Sequence, residues 1–198
     1  WNFPIAIPAW KAAPALMCGN AVILKPASLT PASAIALTEI IDKQDLPAGL
    51  FNLVIGSGSG IGNQIATNPD IPAITFTGSV EVGKSLYADA SPLLKKMQME
   101  MGSKNPLVVL DDADLSTAIS CAANGAYGGT GQKCTASSRI IVQEGIYKKF
   151  IEGLTEHISN IKVGHALEEG SQMGPVSNKS QFESNLNYIE IGKKEAKL

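Results

Sequence analysis

Short apolar runs alternate with helical segments along nearly the whole chain, and this alternation constrains the fold more than any other feature of the sequence. Apolar runs bounded by turn residues predict strands at 21–24, 51–55, 73–76 and 96–100, with a helical segment after each of the first three. Strands that alternate with helices across short connections favour a parallel, doubly wound sheet. The expected fold class is therefore α/β.

The alternation begins again after Gly102. Strands are predicted at 107–110 and 138–142, with a helix between them that Asp114 caps and that runs to about Tyr127. Two amphipathic helices follow, and their expected apolar faces are Ile146, Phe150, Leu154, Ile158 and Ile161 in the first, and Phe182, Leu186 and Ile189, after a cap at Asn178, in the second. Glycine, serine and proline gather at 102–106, so we expect one domain over 1–104 and the first part of another over 105–198.

Helix starts and stops are also readable in the first half. Pro14 predicts a kink or an early stop in a helix over 9–17. Thr30 before Pro31 predicts a capped helix start, and either Thr77 or Ser79 is expected to cap the helix that follows the third strand.

Composition excludes several classes of function. The net charge of -2 arises from 16 basic and 18 acidic residues without a cluster of either sign, which argues against nucleic acid or a membrane surface as partner. No apolar run approaches the roughly 18 residues of a spanning helix, and no signal-peptide pattern is present, so we expect a cytoplasmic protein. Three irregularly spaced cysteines and two histidines indicate reduced thiols and no metal site.

Cys134 is the first candidate for chemistry. It lies in Gly-Gly-Thr-Gly-Gln-Lys-Cys-Thr-Ala at 128–136, where small residues let a substrate approach the sulfur and let backbone N–H groups point at a reacting atom. A small buried residue in a flexible turn is an equal alternative from this stretch alone.

Other candidates lie where predicted strands end. Lys25 follows the first strand, the glycine run 56–62 follows the second, Ser79 follows the third and Glu100 ends the fourth. Ligands bind at the carboxyl ends of parallel strands, so these groups suit a phosphate, a ribose or a general base. Each also has an ordinary structural explanation: a surface lysine, a tight turn, a helix cap and an exposed carboxylate.

Five motifs in a fixed order resemble the aldehyde dehydrogenase family. They are Trp-Asn-Phe-Pro at 1–4, Lys-Pro-Ala-Ser at 25–28, Phe-Thr-Gly-Ser at 76–79, Glu-Met-Gly-Ser-Lys at 100–104 and Gly-Gln-Lys-Cys at 131–134. The resemblance covers essentially the whole chain. It implies part of a Rossmann-like NAD(P)-binding domain over 1–104 and the first part of an α/β catalytic domain over 105–198.

The resemblance assigns roles residue by residue. Cys134 matches the family's nucleophile, Glu100 its general base, and Asn2 the side chain that binds the oxyanion together with the backbone N–H of Cys134. The implied cofactor-binding residues are Lys25 and Ser28 at the adenosine ribose, Ser79 at the pyrophosphate, Gly58 and Gly62 in the glycine turn, and Trp1.

These roles imply oxidation of an aldehyde to a carboxylic acid through a thiohemiacetal and a thioester. Serine stands at position 28 where the family often has a glutamate, so NADP should be accepted as well as NAD. The motifs around Lys25 and Cys134 resemble the semialdehyde branch most. The resemblance also implies a small-molecule substrate and a homodimer or homotetramer.

The chain is shorter than the family by more than half, so activity is expected of the longer protein and not necessarily of these 198 residues alone. Two other functions stay open: a non-catalytic nucleotide-binding or structural module, and a thiol hydrolase that uses Cys134 and Glu100 without a cofactor.

Overall fold

Three pairs of parallel strands carry the fold. The computed structural model describes residues 1–196. Its strands are β1 (Val22–Leu24), β2 (Phe51–Leu53), β3 (Ala73–Gly78), β4 (Lys96–Met101), β5 (Asn105–Val109) and β6 (Ser137–Val142). β1 pairs with β2, β3 with β4 and β5 with β6, all in parallel. The predicted α/β class with parallel strands is confirmed. Within residues 1–196 the pairs form three two-stranded sheets and not one continuous sheet.

A helix connects the two strands of each pair, because parallel neighbours need a crossover. The helices are α1 (Ala6–Met17), α2 (Pro31–Asp42), α3 (Asn63–Thr67), α4 (Val80–Ala90), α5 (Leu115–Tyr127), α6 (Glu144–Ser159) and α7 (Lys179–Glu195). A π-helical turn, Gly58–Gly62, leads directly into α3. Short 3-10 turns cover Ser91–Leu93 and Gly128–Gly131.

The chain divides into two compact units, Trp1–Gly102 and a second unit that begins at Ser103. In the first unit α4 packs closely against β3 and β4. A Cβ atom added to Gly83 would lie 2.5 Å from Met101 Sδ and 3.1 Å from Met99 Cε. Glycine at this position therefore allows the helix to approach the sheet.

The second unit has a continuous apolar core around Phe150, which is fully buried. The other buried members are Val109, Ala122, Ala123, Ile146 and Leu154. They come from β5, α5 and α6, so one strand and two helices share this core. Burying a phenylalanine side chain contributes about 1.5–3 kcal/mol of transfer free energy.

The early helix stop predicted at Pro14 and the side-chain cap predicted at Thr30 are wrong. Pro14 lies inside α1, which continues to Met17 and begins at Ala6. The Cys18 N–H still donates to the Pro14 carbonyl, so the last turn closes despite the proline. Thr30 precedes α2 as expected, but its side chain does not cap the helix; its hydroxyl donates instead to the Trp1 carbonyl at 3.4 Å.

The other predicted caps are confirmed. Ser79 Oγ, and not Thr77, accepts from the Val82 N–H at 3.2 Å. Asp114 accepts from the Thr117 N–H at 2.8 Å, and Asn178 accepts from the Gln181 N–H at 2.8 Å. Each side chain satisfies a backbone donor that has no partner within its helix.

The apolar faces predicted for the last two helices differ in how far they are buried. Ile146, Phe150 and Leu154 of α6 are buried, whereas Ile161 lies beyond the end of that helix. Phe182, Leu186 and Ile189 of α7 are each about half exposed. Periodicity indicates which residues share a face, but burial also requires a packing partner.

Candidate active site

Cys134 lies in a hydrogen-bonded β-turn directly before β6. The Ala136 N–H donates to the Lys133 carbonyl at 3.1 Å, so Cys134 and Thr135 are the two central residues of the turn. Cys134 is exposed and carries a free thiol. The sulfur is therefore accessible, as a nucleophile must be, and the alternative of a small buried residue in this turn is wrong.

The backbone on both sides of Cys134 is held by specific contacts. Asn105, the first residue of β5, donates from Nδ2 to the carbonyls of Cys134 at 2.7 Å and Ala136 at 3.1 Å. The preceding residues 129–131 all have positive φ, between 59° and 68°. Left-handed backbone at the non-glycine Thr130 carries a conformational cost that the surrounding contacts must offset.

Asn105 is a residue that sequence reasoning missed. An amide side chain at the first position of a strand, directly before Pro106, was the available signal. A single asparagine at that place has many structural uses, so the contact to the cysteine turn becomes visible only in the fold.

Glu100 lies near the carboxyl end of β4 and is exposed. Strand register pairs Thr75 with Gln98 and Thr77 with Glu100. Gln98 and Glu100 are two positions apart in one strand and therefore point to the same face.

That face also receives a lysine from α1. Lys11 Nζ donates to Thr75 Oγ1, and Thr75 Oγ1 donates to Gln98 Oε1. Burial lowers the pKa of Lys11, and the negative charge of Glu100 opposes this effect. Lys11 is a second residue that the sequence did not single out, since it lies 64 residues from its hydrogen-bond partner.

Asn2 and Trp1 lie before α1. Asn2 is half-buried, and Trp1 is 42% exposed with its carbonyl accepting from Thr30. Asn2 and Glu100 belong to the first unit and Cys134 to the second. The three residues expected to carry catalysis are thus distributed over both units.

The structure brings together two of the expected cofactor positions at the carbonyl of Gly56. Lys25 Nζ donates to the Gly56 carbonyl at 3.3 Å, and Ser28 Oγ donates to the same carbonyl at 3.5 Å. Gly56 follows β2 and opens the glycine run, so this cluster joins the ends of β1 and β2. Burial lowers the pKa of the Lys25 ammonium.

The glycine turn and Ser79 are further expected cofactor positions. Ser57 Oγ accepts from the Gly60 N–H at 2.9 Å and caps the start of the turn. Gly58 and Gly62 have no atom within 4 Å of the place where a Cβ would stand. Ser79 caps α4 directly after β3, where unpaired helix N–H groups lie beside its hydroxyl.

These residues fit a dinucleotide. A lysine ammonium and a serine hydroxyl suit ribose hydroxyls or a phosphate, and the amino end of a helix suits an anionic pyrophosphate. The open space at Gly58 and Gly62 leaves the backbone accessible to a ligand. Each group lies at the carboxyl end of a parallel strand, where α/β proteins bind nucleotides.

No cluster of three or more His, Cys, Asp and Glu side chains in residues 1–196 is placed to hold a metal ion. In the same part of the chain, no helix combines the length and the apolar character needed to cross a bilayer.

Comparison with known proteins identifies several similar sequences. The chain is 48% identical over 195 residues to the alpha-ketoglutaric semialdehyde dehydrogenase of Bacillus subtilis, which covers 98% of the chain and 40% of that protein. It is 44% identical over 195 residues to the 2,5-dioxopentanoate dehydrogenase of Saccharolobus solfataricus, with 98% and 41% covered. The chain thus spans about 40% of the length of these curated relatives.

Solved structures agree with the sequence relatives. Betaine aldehyde dehydrogenase from Staphylococcus aureus in complex with NAD+ superposes with a TM-score of 0.96 at 35% identity, over 98% of this chain and 39% of that one. An E. coli NADP-dependent enzyme superposes with a TM-score of 0.95 at 37% identity, over 98% and 40%. The family model described as the aldehyde dehydrogenase family matches residues 1–198, and the chain belongs to that family.

Proposed function

We propose that the protein containing this chain oxidises an aldehyde to a carboxylic acid with NAD or NADP, using Cys134 as the nucleophile. The observation that carries the proposal is the turn at Lys133–Ala136. It exposes a free thiol while Asn105 fixes the backbone carbonyl of the same residue at 2.7 Å. An exposed sulfur on a fixed backbone is the arrangement that nucleophilic catalysis requires.

The chemistry follows from the three catalytic candidates. The Cys134 thiolate attacks the aldehyde carbon, a C–S bond forms, and the carbonyl oxygen takes the electron pair. The Asn2 amide and the Cys134 N–H donate hydrogen bonds to this oxygen. Bound NAD or NADP supplies the acceptor for the substrate hydride.

Hydrolysis completes the cycle. Glu100 takes a proton from a water molecule that attacks the acyl carbon of the thioester, the C–S bond breaks, and the sulfur leaves with the bonding electrons. Glu100 stands at the end of a strand and is exposed, so water can reach its carboxylate. A carboxylate at this position favours transfer of the acyl group to water over transfer to coenzyme A.

The first unit holds the cofactor in this proposal. Lys25 and Ser28 bind the adenosine ribose, Ser79 and the amino end of α4 bind the pyrophosphate, and Gly58 and Gly62 let the backbone approach. Trp1 belongs to the same set. Lys25 and Ser28 meet at the Gly56 carbonyl, which supports their assignment to one part of the ligand.

Serine at position 28 makes both cofactors acceptable. An uncharged hydroxyl beside the Lys25 ammonium does not repel a 2′-phosphate, whereas a carboxylate would. The similar solved structures include one in complex with NAD+ and one described as NADP-dependent, so the fold accommodates both.

A semialdehyde is the proposed substrate. Three of the similar curated relatives are named as alpha-ketoglutaric semialdehyde or 2,5-dioxopentanoate dehydrogenases. The substrates in these names are acids that end in an aldehyde. Arg139 donates from Nε at 3.1 Å and from Nη2 at 2.6 Å to the Lys104 carbonyl, so we assign recognition of the substrate carboxylate to another residue.

We further propose a homodimer or homotetramer in the cytoplasm, with no nucleic-acid or membrane partner. The near-neutral charge of -2, with no basic patch in the sequence, supports the absence of both partners.

The decisive experiment compares two cysteine variants of the full-length protein. Reduced nicotinamide is followed by its near-ultraviolet absorbance with semialdehydes as substrates. Cys134→Ser should lower turnover by at least about a thousandfold, because a serine hydroxyl stays protonated near neutral pH, while cofactor affinity stays within about twofold. Cys121→Ser, which changes another exposed thiol, is the control and should keep full activity.

Three outcomes contradict the proposal. Unchanged turnover in Cys134→Ser removes that residue from the mechanism. Cofactor-independent ester hydrolysis by the wild type, without aldehyde-dependent reduction of NAD or NADP, would favour a thiol hydrolase. Absence of any aldehyde-dependent reduction of NAD or NADP would favour a non-catalytic module.

A further inference from the structure

Lys95 is a buried lysine that the proposed chemistry does not use. It is 9% exposed, and it is the one charged residue in residues 1–196 that falls among the buried side chains. Its Nζ donates to the Ile65 carbonyl at 3.1 Å and also to the Asn68 carbonyl. No salt bridge within residues 1–196 involves it. A buried ammonium needs such partners, because an unpaired charge in the interior is very unfavourable.

Both carbonyls belong to the carboxyl end of α3. Ile65 lies within this helix and Asn68 is its C-cap. The last carbonyls of a helix have no intrahelical partner and carry partial negative charge, so an ammonium there satisfies them and also suits the helix dipole. Lys95 therefore acts as a side-chain cap for α3.

The segment that Lys95 holds buries few of its own residues. α3 has five residues, and helices this short are unstable without tertiary contacts. Its one buried residue is Ala66, and no residue of the preceding turn Gly58–Gly62 is buried. The turn and the helix form one continuous segment that begins next to the Lys25–Ser28–Gly56 cluster and ends at Lys95.

Lys95 also has a fixed position of its own. It directly precedes β4, whose first residue Lys96 pairs with Ala73 of β3. The hydrogen bonds from Nζ thus join the end of α3, which follows the glycine turn directly, to the residue before a paired strand. A tether of this kind reduces the ordering cost that a ligand must otherwise meet when it binds the turn.

We propose that Lys95 is a positioning residue for the cofactor site, which holds the glycine turn and α3 in the conformation that binds NAD(P). This inference rests on the proposed function, because it assigns the turn to the cofactor. Lys95 contacts neither reacting atoms nor, in this proposal, the cofactor itself.

The test compares Lys95→Met with Lys96→Met in the full-length protein. Both variants remove one lysine charge, but Lys96 is exposed whereas Lys95 is buried. For Lys95→Met we expect the dissociation constant and KM of NAD(P) to rise about tenfold, equivalent to ~1.4 kcal/mol, while kcat changes less than about twofold. Lys96→Met should leave all three constants unchanged.

Amide hydrogen exchange supplies a readout that does not depend on activity. In Lys95→Met, exchange should accelerate in 57–68 and stay unchanged in β3 and β4. Lys95→Arg keeps a cationic donor of two hydrogen bonds and should restore both the exchange pattern and most of the cofactor affinity. If Lys95→Met does not fold, Lys95→Gln provides the same comparison.

Two results would overturn the inference. One is a cofactor dissociation constant in Lys95→Met equal to that of the wild type. The other is accelerated exchange throughout the first unit with a parallel fall in kcat, which would show a purely structural role. A wild type that does not bind NAD(P) would instead refute the proposed function, while the exchange data would still report whether Lys95 orders the turn.

Discussion

Replacing Ser28 with glutamate should turn the proposed site for both cofactors into one that prefers NAD. Ser28 is exposed, and it reaches the same Gly56 carbonyl as Lys25, at 3.5 Å and 3.3 Å respectively. The two side chains therefore lie within roughly 7 Å of each other, the range in which charges near a protein surface still interact appreciably. A carboxylate at position 28 would also attract the Lys25 ammonium away from a 2′-phosphate.

A 2′-phosphate bound beside the Lys25 ammonium would lie at a similar distance from residue 28, and this distance sets the size of the effect. Two unit charges about 6 Å apart repel by ~3 kcal/mol at an effective dielectric constant of about 20. Physiological salt, with a Debye length of about 8 Å, reduces this to roughly half. The remaining ~1.4 kcal/mol per phosphate charge corresponds to an NADP complex weaker by about tenfold for each charge on the 2′-phosphate. NAD has no 2′-phosphate, so its affinity should change less than about twofold.

Fluorescence titration of both reduced cofactors with the full-length protein measures these constants. Ser28→Gln is the matched control, because glutamine has nearly the size of glutamate without its charge. The NADP penalty in Ser28→Glu should shrink as salt is raised, since screening acts only on the charge. Equal losses of NADP affinity in the two variants would refute the electrostatic argument, and an unchanged NADP affinity in Ser28→Glu would remove residue 28 from the cofactor site.

Three further perturbations probe the second unit. Asn105→Ala removes both donors to the cysteine turn and should lower kcat about tenfold, as two lost hydrogen bonds of ~1 kcal/mol each allow, without changing cofactor affinity; an equal kcat would contradict this. Phe150→Ala should cost about 3–5 kcal/mol of unfolding free energy in urea, because the side chain is fully buried; a loss below about 1 kcal/mol would mean that the core repacks. Hydrogen bonds from Thr117 and Ser116 lower the pKa of Asp114, so its stabilising contribution is present above the unfolded-state pKa near 3.9 and is lost as pH falls through the lower folded value. Asp114→Asn should therefore show a weaker loss of melting temperature in that acidic window, and identical pH profiles would argue against this role.

Local sequence signals predicted much of the fold because they have local causes. Apolar runs located the strands, and Asp114, Ser79 and Asn178 located helix starts because each caps a helix within three residues of itself. Thr30 has the same local signal, yet its hydroxyl bonds to Trp1 across 29 positions in sequence. The Thr30 hydroxyl thus bonds to a residue that is distant in sequence and not to a backbone N–H of the helix that follows it.

The candidate site was predictable to a different extent. The motifs that resemble the family point to Cys134, Glu100 and the cofactor residues, but they do not reveal what holds those residues. Asn105, Lys11 and Lys95 act through contacts 29, 64 and 27 or more positions away in sequence. Such contacts are set by how strands and helices pack, which no single stretch of sequence encodes.

The turn around Cys134 leaves rotation about χ1 as the one torsion that moves the sulfur. The Ala136–Lys133 hydrogen bond and the Asn105 amide fix the peptide groups near the cysteine, so its main-chain torsions are restricted. The side chain has only χ1, with three staggered wells. Access of the thiolate to a substrate then depends on the populations of the three χ1 rotamers. Side-chain scalar couplings in an isotope-labelled protein measure these populations directly.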